Sequence, residues 1–155
     1  MCRGSAMVAI DDSARAKIQA VLGRWEAAWN ASDMSAMWQL ATDDVHWVNV
    51  VGMYWRGKAE VQKAHQAYFD LIFKERSCKL DEIESIEPLP GDALIAVARW
   101  SMGGYRRPNG MLRPPGSDRM SLVLVPRGDG LAIAHGANVP IDEEAASFDP
   151  IKRDR

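Results

Sequence analysis

The chain has only two cysteines, Cys2 and Cys78, among its 155 residues. That pair gives neither a disulfide framework nor a metal-ligand spacing. Excess positive charge is missing too: 19 lysines and arginines face 21 aspartates and glutamates, for a formal net charge of -2. A nucleic-acid backbone demands a basic patch, and the basic run Lys152-Arg153 is only two residues long and is followed by Asp154. Nucleic acid is therefore not expected as a partner. No apolar run approaches the roughly 20 residues that cross a bilayer, and the start has no signal-peptide core. A cytoplasmic protein with no membrane partner is the expectation. The three histidines are scattered singly, with no pair at helical spacing, so no metal site is expected. A dinucleotide fingerprint is absent as well, since "GMYWRG" (52–57) is not one, and no cofactor is expected.

What the chain does have is ordinary globular composition, 47% hydrophobic and 26% charged. Its length suits one domain, which at this size buries roughly 70% of the unfolded surface and can hold a core with a pocket in it. Residues 1–12, opening "MCRGSAM", read as a flexible leader, 13–141 as the domain and 142–155 as a polar tail.

Ser13 to Ala31 has a helical stripe of Ile18, Val21, Leu22, Trp25 and Trp29 behind a possible cap at Asp11, Asp12 or Ser13. "NASD" (30–33) breaks it and caps a short helix over Met34 to Ala41. Val45 to Val51 is β-branched and aromatic and closes on Gly52, which predicts a strand. Residues 56–75 return to helical period, with Val61, His65, Tyr68, Phe69 and Ile72 on one stripe. From Cys78 the pattern is β: Leu80 to Ile86, Ala93 to Met102, Met120 to Val125 and Leu131 to Val139, joined by "PLPGD", a Gly/Pro-rich stretch and "PRGDG". Helices followed by a run of strands indicate an α+β fold.

The words "AWNASD", "DDVHWVNVVGMYWRG" and "ANVPI", in this order, resemble the nuclear transport factor 2-like superfamily, in its SnoaL-like branch and more narrowly the SgcJ/EcaC-type group. The resemblance extends from Ile18 to Pro150. It implies a cystatin-like cone, a curved antiparallel sheet wrapped around the helices with a pocket in its open end, and a homodimer through the outer sheet face. Ketosteroid isomerase shares this fold. Counting its words onto the chain puts Asn49 at the base position, Trp25 at the phenolic donor position and the acid partner near Ser121 or Leu122. None of these residues has the required chemistry, because an amide does not take a proton from carbon at neutral pH and an indole is a weaker oxyanion donor than a phenol.

The candidate site follows from parity. On the first strand Val45, Trp47, Asn49 and Val51 share one face; if Asn49 points into the cone, Trp47 lines it and His46 points outward. Trp25 and Trp47 are expected as pocket walls, Trp29 and Trp100 as core. His65 is either an acid/base or ligand-binding group or a core histidine held by a backbone carbonyl. His135 alternates with Leu131, Ile133 and Ala137, which points it inward, where it is the second candidate proton carrier. Asn49 and Asn138 are either ligand-binding amides or local backbone partners. Asp43-Asp44 reads as a cap or turn, and Arg99 as paired with a carboxylate or facing a dimer partner. Arg106, Arg107 and Arg113 in the Gly/Pro-rich stretch read as solvated, with a lid over an acidic substrate as the sharper alternative. Two functions stay open: a binder of apolar small molecules, or an isomerase, cyclase or hydratase acting on a cyclic or polyketide-like compound.

Overall fold

A computed structural model of the chain describes residues 11–151. The expected leader lies outside the described residues up to residue 10. Helix α1, Asp12–Asn30, starts where the Asp11 carboxylate accepts from the Ala14 amide, and it buries Ile18, Val21, Leu22, Trp25 and Trp29. Helix α2, Met34–Gln39, is capped in the same way by Asp33. The end of α1 docks through Asn30, whose amide both donates to the Cys78 carbonyl and accepts from its N–H.

Strand β1, Ala41–Val48, begins earlier than the sequence predicts. Asp43 and Asp44 are exposed strand residues and not a cap, and Asp43 pairs with Lys58 at 3.1 Å. The reason is tertiary: the Leu40 carbonyl accepts from Ile133, which draws the chain into the sheet directly after α2. A turn at 49–53 leads to β2, Tyr54–Arg56, and then to α3, Lys58–Tyr68. The last predicted helical turn is a π-helical turn, Phe69–Phe73. Its wider winding puts Phe69 in the core and Tyr68, Ile72 and Phe73 in a cavity wall.

Four long strands follow: β3, Cys78–Pro88; β4, Leu94–Met102; β7, Gly116–Arg127; and β8, Gly130–Pro140. A small hairpin, β5 (Tyr105–Arg106) with β6 (Leu112–Arg113), stands between β4 and β7. The expected polar tail contains a short helix, α4, Glu143–Ala146. The six-stranded sheet has the order β2-β1-β8-β7-β4-β3, and it is mixed, because β1 and β8 run parallel. Irregular registers in β3–β4, β7–β8 and β1–β8 bend it, since each extra residue increases the local twist.

The concave face holds the core. Inner residues of β4 are Leu94, Ala96, Ala98, Trp100 and Met102; those of β7 are Asp118, Met120, Leu122 and Leu124. Small alanines on β4 leave room for the indoles of Trp25, Trp38 and Trp47, which pack at ring separations of 5.1–5.2 Å. Among the described residues, no helix is long and apolar enough to cross a membrane.

Candidate functional site

The open end of the cone holds a cavity of about 210 Å³. Its walls are aromatic: Trp29 from α1, Trp55 from β2, Tyr68 and Phe73 from the α3 end, and Tyr105 from the small hairpin. Trp29 is core on one side, as expected, and cavity wall on the other, held by its N–H on the Arg76 carbonyl at 2.7 Å. Five polar groups beyond the tyrosines interrupt this apolar surface: His65, Asn49, Asn138, Arg76 and Asp118, with Arg107 at the edge.

His65 sits among Trp38, Trp47 and Trp55, with ring centroids at 4.8, 6.1 and 5.3 Å. Its Nδ1–H donates to the Val61 carbonyl at 2.9 Å, one helical turn back. Burial lowers its pKa from 6.5 to about 4, and the Val61 bond only partly opposes this. The imidazole is therefore neutral at physiological pH. It is tied to the backbone on one nitrogen and cannot serve as a general acid there.

The strand parity that pointed Asn49 inward stops at Val48. Asn49 lies past the strand end, where its Oδ1 accepts from the Val51 and Met53 amides at 3.1 and 2.8 Å. It still lines the cavity, but as the residue that builds the 49–53 turn, with its oxygen occupied.

Trp25 and Trp47 are not cavity walls. They are 1% and 0% exposed and stack on each other at 5.1 Å, one layer beneath the cavity lining. His135 is not inside either. Leu124 pairs with Ile133 and Val123 with His135, so Ala134 is an extra residue that reverses the alternation. Ile133 and Gly136 face inward, and His135 faces out beside its register partner His46. Neither the sequence period nor the flanking residues announce that bulge.

Asn138 follows from the same reversal. It is on the inner face opposite Met120, it lines the cavity, and its Oδ1 is buried with no hydrogen-bond partner among the described residues. A buried amide oxygen without a partner is rare in a finished core.

Sequence reasoning missed Arg76 and Asp118. Asp118 pairs with Pro140 and so sits diagonally across from Asn138 on the concave face, 5% exposed. Burial pushes its carboxyl above the usual range, and the charges of Arg76 and Arg113 pull it part of the way back. Arg76 is fixed by an Nε–H bond to the Gly103 carbonyl at 2.9 Å, and its guanidinium lies over the Phe73 and Tyr105 rings at 5.2 and 4.7 Å. The signal for Asp118 was available in part: a carboxylate sharing alternate positions with Met120, Leu122 and Leu124. Cys78 offers no nucleophile, since burial pushes its thiol up to about 12.

A helix-filled cone with a bent sheet and a cavity at its open end is the architecture of the nuclear transport factor 2-like and cystatin-like folds. The model of the SnoaL-like domain matches residues 22–131, and the chain belongs to that family. Among solved structures it is similar to an uncharacterized protein with a cystatin-like fold from Caulobacter vibrioides. That match has 34% identity and a TM-score of 0.81, covering 88% of this chain and 96% of that one. It is also similar to a ketosteroid isomerase-like protein from Erwinia carotovora atroseptica, with 17% identity and a TM-score of 0.68, covering 86% and 99%. A nuclear transport factor 2-like superfamily protein from Salmonella enterica serovar Typhimurium matches with 19% identity and a TM-score of 0.67, covering 83% and 91%. The latter two likenesses carry the fold alone. No curated protein matches the chain.

Proposed function

We propose that the protein binds a small ring compound in the aromatic cavity without transforming it. The observation that carries this reading is the aromatic lining of a cavity of about 210 Å³, which Asn138, with its buried Oδ1 unpartnered among the described residues, helps to form. A cavity of roughly 150 Å³ takes one benzene, so this one suits one or two fused rings bearing a hydroxyl or N–H for Asn138. Binding is favoured over a histidine acid/base because burial lowers the His65 pKa to about 4, which makes it a weak base, and His135 is on the other face.

Titration calorimetry, with quenching of Trp29 and Trp55 fluorescence, tests it using 2-naphthol and naphthalene. The expected result is saturable binding of both, tighter for 2-naphthol by about tenfold, with the difference gone in Asn138→Leu. Absence of saturable binding by either compound would remove the reading.

The second reading is proton transfer by Asp118, favoured by a buried carboxyl of raised pKa facing the same cavity.

The outer sheet face is the proposed seat of a homodimer. Ile95 and Val97 on β4, Val123 and Val125 on β7 and Val139 on β8 alternate with the inner set, and Val139 is 62% exposed. Arg99, on the same face, is paired with Glu143 of α4 at 3.1 Å and borders this patch.

A further inference from the structure

Beside the aromatic cavity lies a second one, of about 340 Å³, sharing with it Arg76, Asp118, Tyr105, Arg107 and the Val50-Val51 turn. The two are neighbouring compartments with a common wall. Their chemistry differs. The second is lined by three arginines, Arg76, Arg107 and Arg113, against one carboxylate, Asp118.

The small hairpin explains why these arginines converge. Tyr105 pairs with Arg113 and Arg106 with Leu112, while the Arg107 amide donates to the Met111 carbonyl. Side chains alternate across such a ladder, so Tyr105, Arg107 and Arg113 share one face and Arg106 and Leu112 the other. The cavity lining follows this division: it includes the first three and omits Arg106, whose guanidinium instead closes its own turn on the Gly110 carbonyl at 2.8 Å. Arg76 joins them from the segment after the π-helical turn, held by the Gly103 carbonyl and lying over the Phe73 and Tyr105 rings. Neither Arg107 nor Arg113 has a side-chain partner among the described residues, and no arginine of the three makes a contact ion pair with Asp118. Arg113 nevertheless acts on both Arg76 and Asp118 through space.

We infer that this second cavity is an anion subsite, and that the ligand is an aromatic ring carrying a carboxylate, its ring in the first cavity and its carboxylate among Arg76, Arg107 and Arg113. The inference rests on the ring-binding reading above and adds the charge of the ligand to it. Guanidinium groups without partners match a carboxylate in charge and in fork geometry.

The test compares 2-naphthoate, 2-naphthamide and 2-naphthyl phosphate by titration calorimetry on the full chain. The carboxylate should bind at least about tenfold tighter than the isosteric amide, and the gap should shrink at high salt. The double variant Arg107→Ala/Arg113→Ala should close the gap to within about twofold, with amide affinity changing less than carboxylate affinity. Both side chains are exposed, so the fold is expected to persist, and amide binding reports that it has. Asp118→Asn should tighten the carboxylate more than the amide. Equal affinities for carboxylate and amide in the wild type would overturn the subsite while leaving the ring pocket standing. A preference that survives the double variant would overturn the assignment to these arginines, and tighter binding of the phosphate would overturn the carboxylate. Failure of all three to bind would instead sink the ring-binding reading, and the inference with it.

Discussion

Trp47 and Gly136 are register partners across the parallel β1–β8 pair, and the indole occupies the space where a side chain at 136 would begin. A Cβ added at Gly136 overlaps the six-membered ring of Trp47, which is itself stacked on Trp25 and edge-on to Trp38. The indole has nowhere to move. Gly136→Ala is therefore expected to destabilise the protein by about 1–3 kcal/mol, the usual cost of overpacking a closed core. Urea unfolding measures this, and a change below about 0.5 kcal/mol would show that the indole cluster yields.

Acid should weaken the fold through His65. The unfolded imidazole takes a proton near pH 6.5 and the folded one only near 4, so between these values the unfolded chain binds more protons. Stability contributed by the neutral ring is complete above pH 6.5 and is lost as the pH falls toward 4. The shift corresponds to about 3 kcal/mol. Denaturant unfolding across this window should show a steeper loss for wild type than for His65→Leu. Parallel pH curves for the two proteins would mean that the imidazole titrates normally in the fold.

The contest between binding and proton transfer has a direct readout in solvent exchange. Asn49, which the resemblance places at the base position, is an amide past the strand end whose oxygen is held in a turn. Asp118 is then the one carboxyl lining the cavity. The binding reading predicts that the α-protons of 2-tetralone exchange with deuterated water no faster with the protein than without it, followed by proton magnetic resonance. Protein-dependent exchange that Asp118→Asn abolishes would move the assignment to an enzyme of proton transfer at carbon.

The outer-face proposal makes its own prediction. Light scattering after size exclusion should give a dimer for the wild type and a monomer for Val123→Asp, with ring-compound binding retained by both. A wild type that is monomeric at high concentration would reject the interface. Val123 is opposite His135 and Ile95 on neighbouring strands, near the middle of the apolar patch, where a charge is most costly to bury.

Much of this architecture was legible in residue order. The stripe Ile18, Val21, Leu22, Trp25, Trp29 fixed the buried face of α1, and alternation from Leu94 to Met102 fixed that of β4, because helical and strand periods are local properties of the chain. Local period also placed His65 on an inward stripe. It could not tell whether that stripe met solvent, ligand or indoles, and here the ring meets the Val61 carbonyl and three tryptophans.

The errors share a cause. His135 was misdirected by the bulge at Ala134, and Trp25 and Trp47 by a core that reaches deeper than either helix or strand pattern reveals. Each depends on pairing with a distant strand. Arg76 and Asp118, 42 positions apart in number, meet only because β4 and β7 pair along their length and bring Asp118 opposite Trp100, at the mouth that the α3 end covers. The sequence by itself determined the α+β order, the inner faces of α1 and β4 and the family. Which polar side chains share the cavity was decided by tertiary structure, because a one-residue change in register turns a side chain from one face of a sheet to the other.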